Sequence, residues 1–312
     1  MSLNAASSSY VGTVTAWGGV AAGSFQAGAA GTVFWSVGAN RATRTRRLLI
    51  DNNNRVGGNA MLSDSGRNMY VLDVVSLSNT GRLAWYPAST TLSQPATLVV
   101  TTLLGDASSS GRLTVQDLTI LVLPTTYTIS GMEVVVAGTL SGVTSLTMDG
   151  TSDLTLTATG RTSGRSSSVF SFSSLTLRTG STMTATSPTV FTVANTLLVS
   201  DLSRVVLNSV TGLKLTVSTL ELAPTAGFTF SGSLVLEATV SLLLRAGSFI
   251  SGDGGGNGAG VGCGTGTASS GGSYGGLGST GSGGGSAMVA CGSFEWPTNR
   301  VSDLVACLLV CT

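Results

Sequence analysis

From residue 106 to residue 250 apolar and small polar residues alternate with a period of two, as in Leu154-Thr155-Leu156, Phe170-Ser171-Phe172, Leu175-Thr176-Leu177 and Leu234-Val235-Leu236. That alternation predicts short β-strands with one face turned inward and the other outward. No helical periodicity competes with it. Gly, Ser, Asp or Asn follows each run, and these are the residues that permit tight turns.

A longer period is superimposed. The inward pairs Leu175/Leu177, Leu197/Val199, Leu220/Leu222 and Leu242/Leu244 recur at spacings of 22, 23 and 22. A second ladder, Met183, Val205, Phe228 and Phe249, steps by 22, 23 and 21, and a third, Phe172, Val193, Leu215 and Leu236, by 21, 22 and 21. Leu146/Met148 and Leu154 precede their counterparts by 29, which places an extra loop over Thr159–Ser168. Three apolar strand positions in about 22 residues describe one coil of a three-sided solenoid. The expected fold is therefore all-β: a right-handed parallel β-helix with irregular Gly-rich ends. The alternative, an antiparallel β-sandwich, also has short alternating strands. The near-constant repeat and the lack of Asn-Gly hairpin turns favour the solenoid.

Three regions follow. Residues 1–105 are an irregular β-rich segment continuing into the solenoid, with strand-like runs at Thr32-Val33-Phe34-Trp35-Ser36-Val37 and Tyr70-Val71-Leu72-Asp73-Val74-Val75. Residues 106–250 are the β-helix, and 251–312 a Gly-rich loop with a Cys-bearing tail.

Charge narrows the function classes. Only 9% of the 312 residues are charged, against roughly 25% in an ordinary soluble domain, so Thr and Ser fill the outward positions. The 15 basic and 14 acidic residues give a net charge of +1, without the basic excess of a nucleic-acid-binding domain. The absence of His removes Ser-His-Asp and Cys-His nucleophile systems and His metal sites. Cys263, Cys291, Cys307 and Cys311 all lie in the tail and form no C-x-x-C pair. A zinc site would need all four thiolates at irregular spacing; disulfides in an exported protein, or free thiols, are the alternatives. In the Gly-rich block no Lys and no helix accompany the phosphate-loop patterns, and Asp253 stands without a regular Asp repeat, so neither nucleotide nor calcium is expected.

Met1–Ser8 lacks the basic and apolar regions of a signal peptide. The apolar stretch Val301–Thr312 is too short to span a bilayer as a helix. A Gly/Ser/Thr-rich, Lys-poor composition fits an extracellular or cell-surface place, with the export signal on another part of a longer protein.

Ser248-Phe249-Ile250-Ser251-Gly252-Asp253-Gly254-Gly255-Gly256-Asn257-Gly258-Ala259-Gly260 and Ser270-Gly271-Gly272-Ser273-Tyr274-Gly275-Gly276 resemble the Gly-rich segments in repeats of very large surface proteins of unicellular eukaryotes. Gly292-Ser293-Phe294-Glu295-Trp296-Pro297-Thr298, Ala29-Ala30-Gly31-Thr32-Val33-Phe34-Trp35 and Leu48-Leu49-Ile50-Asp51-Asn52 are similar to further elements of those repeats, the last two at the opposite end of the chain. The resemblance covers about a third of the residues through low-complexity motifs. It implies a pectin-lyase-like β-helix used as a surface or matrix module, and a chain that begins near the end of one repeat and runs into the next. It carries no functional residues over.

Candidate chemistry is sparse. Asp149 and Asp153 flank a Gly-Thr-Ser turn, a spacing open to a paired-carboxylate site but more commonly that of turn-capping carboxylates. Arg161, Arg165 and Arg178 stand near enough in sequence to neutralise them. Arg41, Arg44, Arg46 and Arg47 form the basic cluster, read either as a solvated loop or as a site for an anionic polymer, such as a sulfated glycan or an acidic lipid surface. Asp51–Asn54 follows, as an Asn-rich turn or an oxygen-rich cation site. Trp17, Trp35, Trp85, Tyr86 and Trp296 lie outside the regular coils, and Trp85 with Tyr86 are the candidates for stacking on sugar rings.

The resulting expectation is a non-catalytic structural or adhesive module of a large cell-surface or extracellular protein, needing no cofactor. Its partners would be neighbouring repeats, other matrix proteins or carbohydrate, and neither nucleic acid nor a membrane span. A glycan-binding module and a polysaccharide lyase or hydrolase are the rival classes. An ice-binding face, built on a row of Thr176, Thr196 or Ser200, Thr219 and Ser241, ranks third.

Overall fold

A strand that alternates inward and outward residues needs a second layer over its apolar face. Here the chain supplies that layer itself by winding back onto its own earlier strands. The computed structural model describes residues 16, 29–37, 44–55, 57–63, 69–86, 95–106, 111–157, 169–186, 190–208, 213–231 and 234–251, among which there are strands and no helix.

One sheet stacks nine strands: β3 (Ala60–Ser63), β5 (Arg82–Tyr86), β7 (Gly111–Val115), β10 (Met132–Val136), β13 (Asp153–Thr157), β15 (Thr182–Thr186), β17 (Arg204–Asn208), β19 (Gly227–Ser231) and β21 (Phe249–Ser251). A second contains β1 (Thr32–Val37), β2 (Thr45–Asp51), β4 (Met69–Ser78), β6 (Ala96–Leu104), β8 (Thr119–Val122) and β11 (Thr139–Ser141). The third contains β9 (Thr126–Ser130), β12 (Ser145–Asp149), β14 (Val169–Leu177), β16 (Val190–Val199), β18 (Leu213–Leu222) and β20 (Leu234–Leu244). Every ladder is parallel except that of β1 with β2, which is antiparallel. Parallel pairing of each strand with the one a coil later makes the chain a parallel β-solenoid of about 23 residues per coil. The β-sandwich alternative is thereby excluded. The coils run through the residue 105/106 boundary, because β6 pairs with β8 and β5 with β7 across it.

The inward rows are continuous. Leu146, Leu175, Leu197, Leu220 and Leu242 lie in register, as do Met148, Leu177, Val199, Leu222 and Leu244. In the nine-stranded sheet the row Leu83, Leu113, Val134, Leu154, Met183, Val205, Phe228 ends on Ile250, one position beyond the expected Phe249. The third expected ladder also needs correction. Val193 pairs with Val217, and Leu215 pairs with Phe191. The reason is a corner of unequal length: Ser173 alone fills it in β14, Ala194-Asn195 in β16, Ser218 in β18 and Thr239-Val240 in β20.

A recurrent corner joins the third sheet to the nine-stranded one. One or two left-handed residues (Gly150 and Thr151, Thr179 and Gly180, Asp201 and Leu202, Thr225, Gly247) precede a small residue, Ser152, Ser181, Ser203, Ala226 or Ser248. The first four of these small residues are fully buried. The Ser181 and Ser248 hydroxyls each donate back to the carbonyl three positions earlier, at 2.7 Å, which closes the turn. At the corner between β4 and β5 Gly81 has no room for a side chain: a Cβ there would lie 2.2 Å from the Ile50 carbonyl oxygen.

The row ends at β20. Leu222 is fully buried, whereas Leu244, its partner one coil on, is 46% exposed because no described strand lies beyond it. Leu222→Asp is expected to cost on the order of 3 kcal/mol or more, an unpaired charge in the core. Leu244→Asp is expected to cost under about 1 kcal/mol. Urea-unfolding midpoints of the two variants check this, and equal losses would contradict the register.

Candidate functional site

Asp149 ends β12 and Asp153 opens β13, so the two acids flank a corner as their spacing suggests. The corner consumes one of them. Asp149 Oδ1 accepts from the Gly150 N–H at 2.8 Å and the Thr179 hydroxyl at 2.7 Å, and Oδ2 lies 3.2 Å from Arg178 Nε. The Thr179 hydrogen bond, opposed by desolvation and aided by Gly150 and Arg178, holds its carboxyl below the usual carboxylate range. Asp153 is solvent-exposed as a residue, but local desolvation of its carboxyl pushes the pKa up, with the Thr182 hydrogen bond opposing. Asp149 is thus engaged in tying one coil to the next. Arg161 and Arg165 lie outside the described residues.

The arginine cluster divides. Arg41 lies outside the described residues and Arg47 is exposed on β2. Arg44 and Arg46 instead line a half-open cavity of about 700 Å³ at the first coils, walled by Phe34, Leu48, Leu62 and Tyr70. Arg46 donates its backbone N–H to Asp73 Oδ2 at 2.5 Å, and its Nη1 lies 3.5 Å from the Val71 carbonyl oxygen. Arg44 Nε is buried without a hydrogen-bond partner.

Asp51 belongs to a turn. It accepts from the Asn53 N–H at 2.8 Å and from the Asn79 amide at 3.2 Å. Among the described residues no three His, Cys, Asp or Glu side chains are grouped as metal ligands. Asp253, the four cysteines, Trp17 and Trp296 lie outside the described residues.

Trp85 is an interior residue, contrary to its candidacy as a sugar-stacking ring. It stands in register between Leu62 and Val115 and is fully buried. Its Nε1–H donates to the Ala96 carbonyl at 3.4 Å and its ring meets Tyr70 edge-on at 5.3 Å. Tyr86, the next residue, is half-buried and ends the strand. Alternation separates the two side chains onto opposite faces.

The outward hydroxyl row differs from the expected one. Pairing aligns Thr126, Ser145, Ser174, Thr196, Thr219 and Ser241 across six strands, with Ser174 in the place assigned to Thr176. Thr176 belongs to the companion row Thr128, Thr147, Thr176, Leu198, Glu221 and Leu243. The Ser241 hydroxyl donates to Thr219 Oγ1 at 3.3 Å.

Tyr127 escaped notice in the sequence. It heads the inward leucine row, opposite Leu146, and its hydroxyl hydrogen-bonds both the N–H and the carbonyl of Leu103. Burial pushes its pKa up against the opposing Leu103 hydrogen bond. Beside it an open cleft of about 520 Å³ separates β6 from β9, lined by Thr101, Thr102, Leu104, Thr126 and Thr128 among others. The available signal was a phenol at a position that every later coil fills with Leu.

Among the described residues no helix is long and apolar enough to cross a membrane. Comparison with models of known protein families, with curated proteins and with solved structures found no match.

Removing the Asp149 carboxylate by Asp149→Asn is expected to cost under about 1 kcal/mol, as for a solvent-accessible ion pair. Since its folded pKa is lowered, the contribution is complete above the ordinary carboxylate value of about 3.9 and is lost as pH falls through the folded value. The stability difference between parent and variant should therefore be level at neutral pH and vanish on acidification. A difference that grows towards low pH would contradict the assignment.

Proposed function

We propose that the chain is a non-catalytic structural module of a large cell-surface or extracellular protein, kin to the Gly-rich, pectin-lyase-like β-helix repeats that its sequence resembles. The nine-stranded sheet carries this reading. Eight inter-strand steps of about 4.8 Å give an uninterrupted stack of about 38 Å, a stiff spacer with hydroxyl-rich sides. The ion pairs Arg112–Glu133, Arg178–Asp149, Lys214–Glu237 and Arg245–Glu221 each join neighbouring coils, which uses charge to brace the stack. Neighbouring repeats or other matrix proteins are the partners this reading calls for. Antibodies raised against the chain should label intact cells of the source organism, and labelling only after permeabilisation would overturn the placement. Release of cleavage products from pectic or other acidic polysaccharides, lost on Asp153→Asn, would overturn the non-catalytic reading.

One observation favours a second reading, an ice-binding face. The six in-register hydroxyls from Thr126 to Ser241 recur at the strand spacing, and their companion row is hydroxylated at Thr128, Thr147 and Thr176. Leu198, Glu221 and Leu243 interrupt that companion row over the later coils. An ice-binding face would give thermal hysteresis that Ser174→Arg abolishes. Its absence in the parent protein leaves the spacer reading alone.

A further inference from the structure

We infer that the cavity at the first coils is a binding site for a single amphipathic anion: one oxyanion head, a carboxylate or a sulfate or phosphate monoester, on an apolar body. The positions of Arg44 and Arg46 motivate this. Pairing of β1 with β2 sets Thr32 opposite Ile50, Phe34 opposite Leu48 and Ser36 opposite Arg46. On β2 the inward row therefore runs backward from the buried Ile50 and Leu48 to Arg46, and Arg44 continues it, lining the same cavity. Two guanidinium groups thus continue the row of buried Leu48 and Ile50, and the register that pairs Arg47 with Val74 puts Asp73 beside Arg46 in the next coil.

A cation at an inward position is costly unless it is paired. Among the described residues neither arginine forms an ion pair, and Arg44 Nε has no hydrogen-bond partner at all. The nearest carboxylate contact, Asp73, is to the backbone of Arg46. Beside these donors lie the apolar walls Phe34, Leu48, Leu62 and Tyr70. A volume of about 700 Å³ and a mostly apolar lining with a few convergent polar groups match a small-molecule site. The fork of a guanidinium suits a carboxylate or phosphate head. A polyanion fits less well. It would engage exposed cations such as Arg47, and it has no apolar part to fill the walls. The inference is independent of the spacer reading, since a rod can carry a ligand where its repeat breaks.

Isothermal titration of the full chain with dodecanoate, dodecanol, acetate and dextran sulfate tests it, with anionic phospholipid vesicles as a fifth probe. Dodecanoate should bind with one-to-one stoichiometry. Dodecanol, lacking the charge-assisted hydrogen bonds, should bind on the order of tenfold to a hundredfold more weakly. Acetate should give no heat. The double variant Arg44→Gln/Arg46→Gln should lose the preference for dodecanoate over dodecanol, while Arg47→Gln retains it. Leu62→Trp, which fills the cavity without touching the charges, should block both ligands and keeps the test valid if the double variant fails to fold. The inference is overturned if no probe binds, if dodecanoate binds Arg44→Gln/Arg46→Gln and Leu62→Trp as it binds the parent, or if dextran sulfate or vesicles bind in an Arg47-dependent way while dodecanoate does not.

Discussion

Each coil must come back to the same place. Like positions stack only if the chain turns the same corner after a similar path, and burial of every inward row depends on that return. The corner ahead of the nine-stranded sheet enforces it. Ser152, Ser181, Ser203, Ala226 and Ser248 recur in step with the inward leucines they accompany, including the one longer coil between Ser152 and Ser181. Each follows at least one residue with positive φ. A left-handed Thr, Asp or Leu costs roughly 1 kcal/mol, and Asp201 and Leu202 bear it consecutively. That strain persists because the small residue that follows is enclosed. The Ser203 hydroxyl, for instance, accepts from the Ser181 N–H of the preceding coil at 3.1 Å. A larger side chain would push the corner outward and break the register of two rows at once.

The same stacking explains the scarcity of charge. An outward residue in a parallel solenoid has neighbours of its own kind one strand above and below, at about 4.8 Å. Like charges so placed would repel, whereas hydroxyls are neutral and donate to one another, as Thr192 does to Ser171 at 2.9 Å. Where charge does occur, opposite signs meet across several coil steps, although the register also sets Arg82 beside Arg112 and Glu133 beside Asp153. Arg112 faces Glu133 at 3.4 Å and Lys214 faces Glu237 at 2.7 Å.

This regularity decided what could be read from sequence. The leucine pairs from Leu146 to Leu244 were legible because the corner beside them holds the step nearly constant once the single longer coil is allowed for. Phe172, Val193 and Leu215 misled because the opposite corner takes one residue in some coils and two in others, so constant spacing gave the wrong partner. Around the first coils the step is uneven: Ala60 to Leu83 spans 23 residues, whereas Leu83 to Leu113 spans more than any two successive leucines of the later rows. That hid the first coils and made Trp85, an interior residue, look like part of an irregular segment. Arg44 and Arg46 were legible as a cluster but not as an inward pair. Their facing depends on β1, which runs antiparallel and has no counterpart in the repeat.

The two ends of the stack differ in chemical character for the same reason. An inner coil is constrained from above and below, so its inward positions are mostly apolar, and the polar exceptions, such as the Tyr127 and Ser181 hydroxyls, are hydrogen-bonded. A terminal coil has one neighbour, and its inward positions are free to expose apolar surface or to accept polar groups. At the last described coil Leu244 and Val240 are simply exposed, at 46% and 76%. At the first described coil β1 pairs beside β2, and the inward row passes from Ile50 and Leu48 to Arg46. A solenoid of this kind is therefore least informative where its repeat is strongest. The two cavities described above both lie where the repeat breaks: at β1 and β2, and at the interruption between β6 and β9 that the Tyr127 hydroxyl bridges.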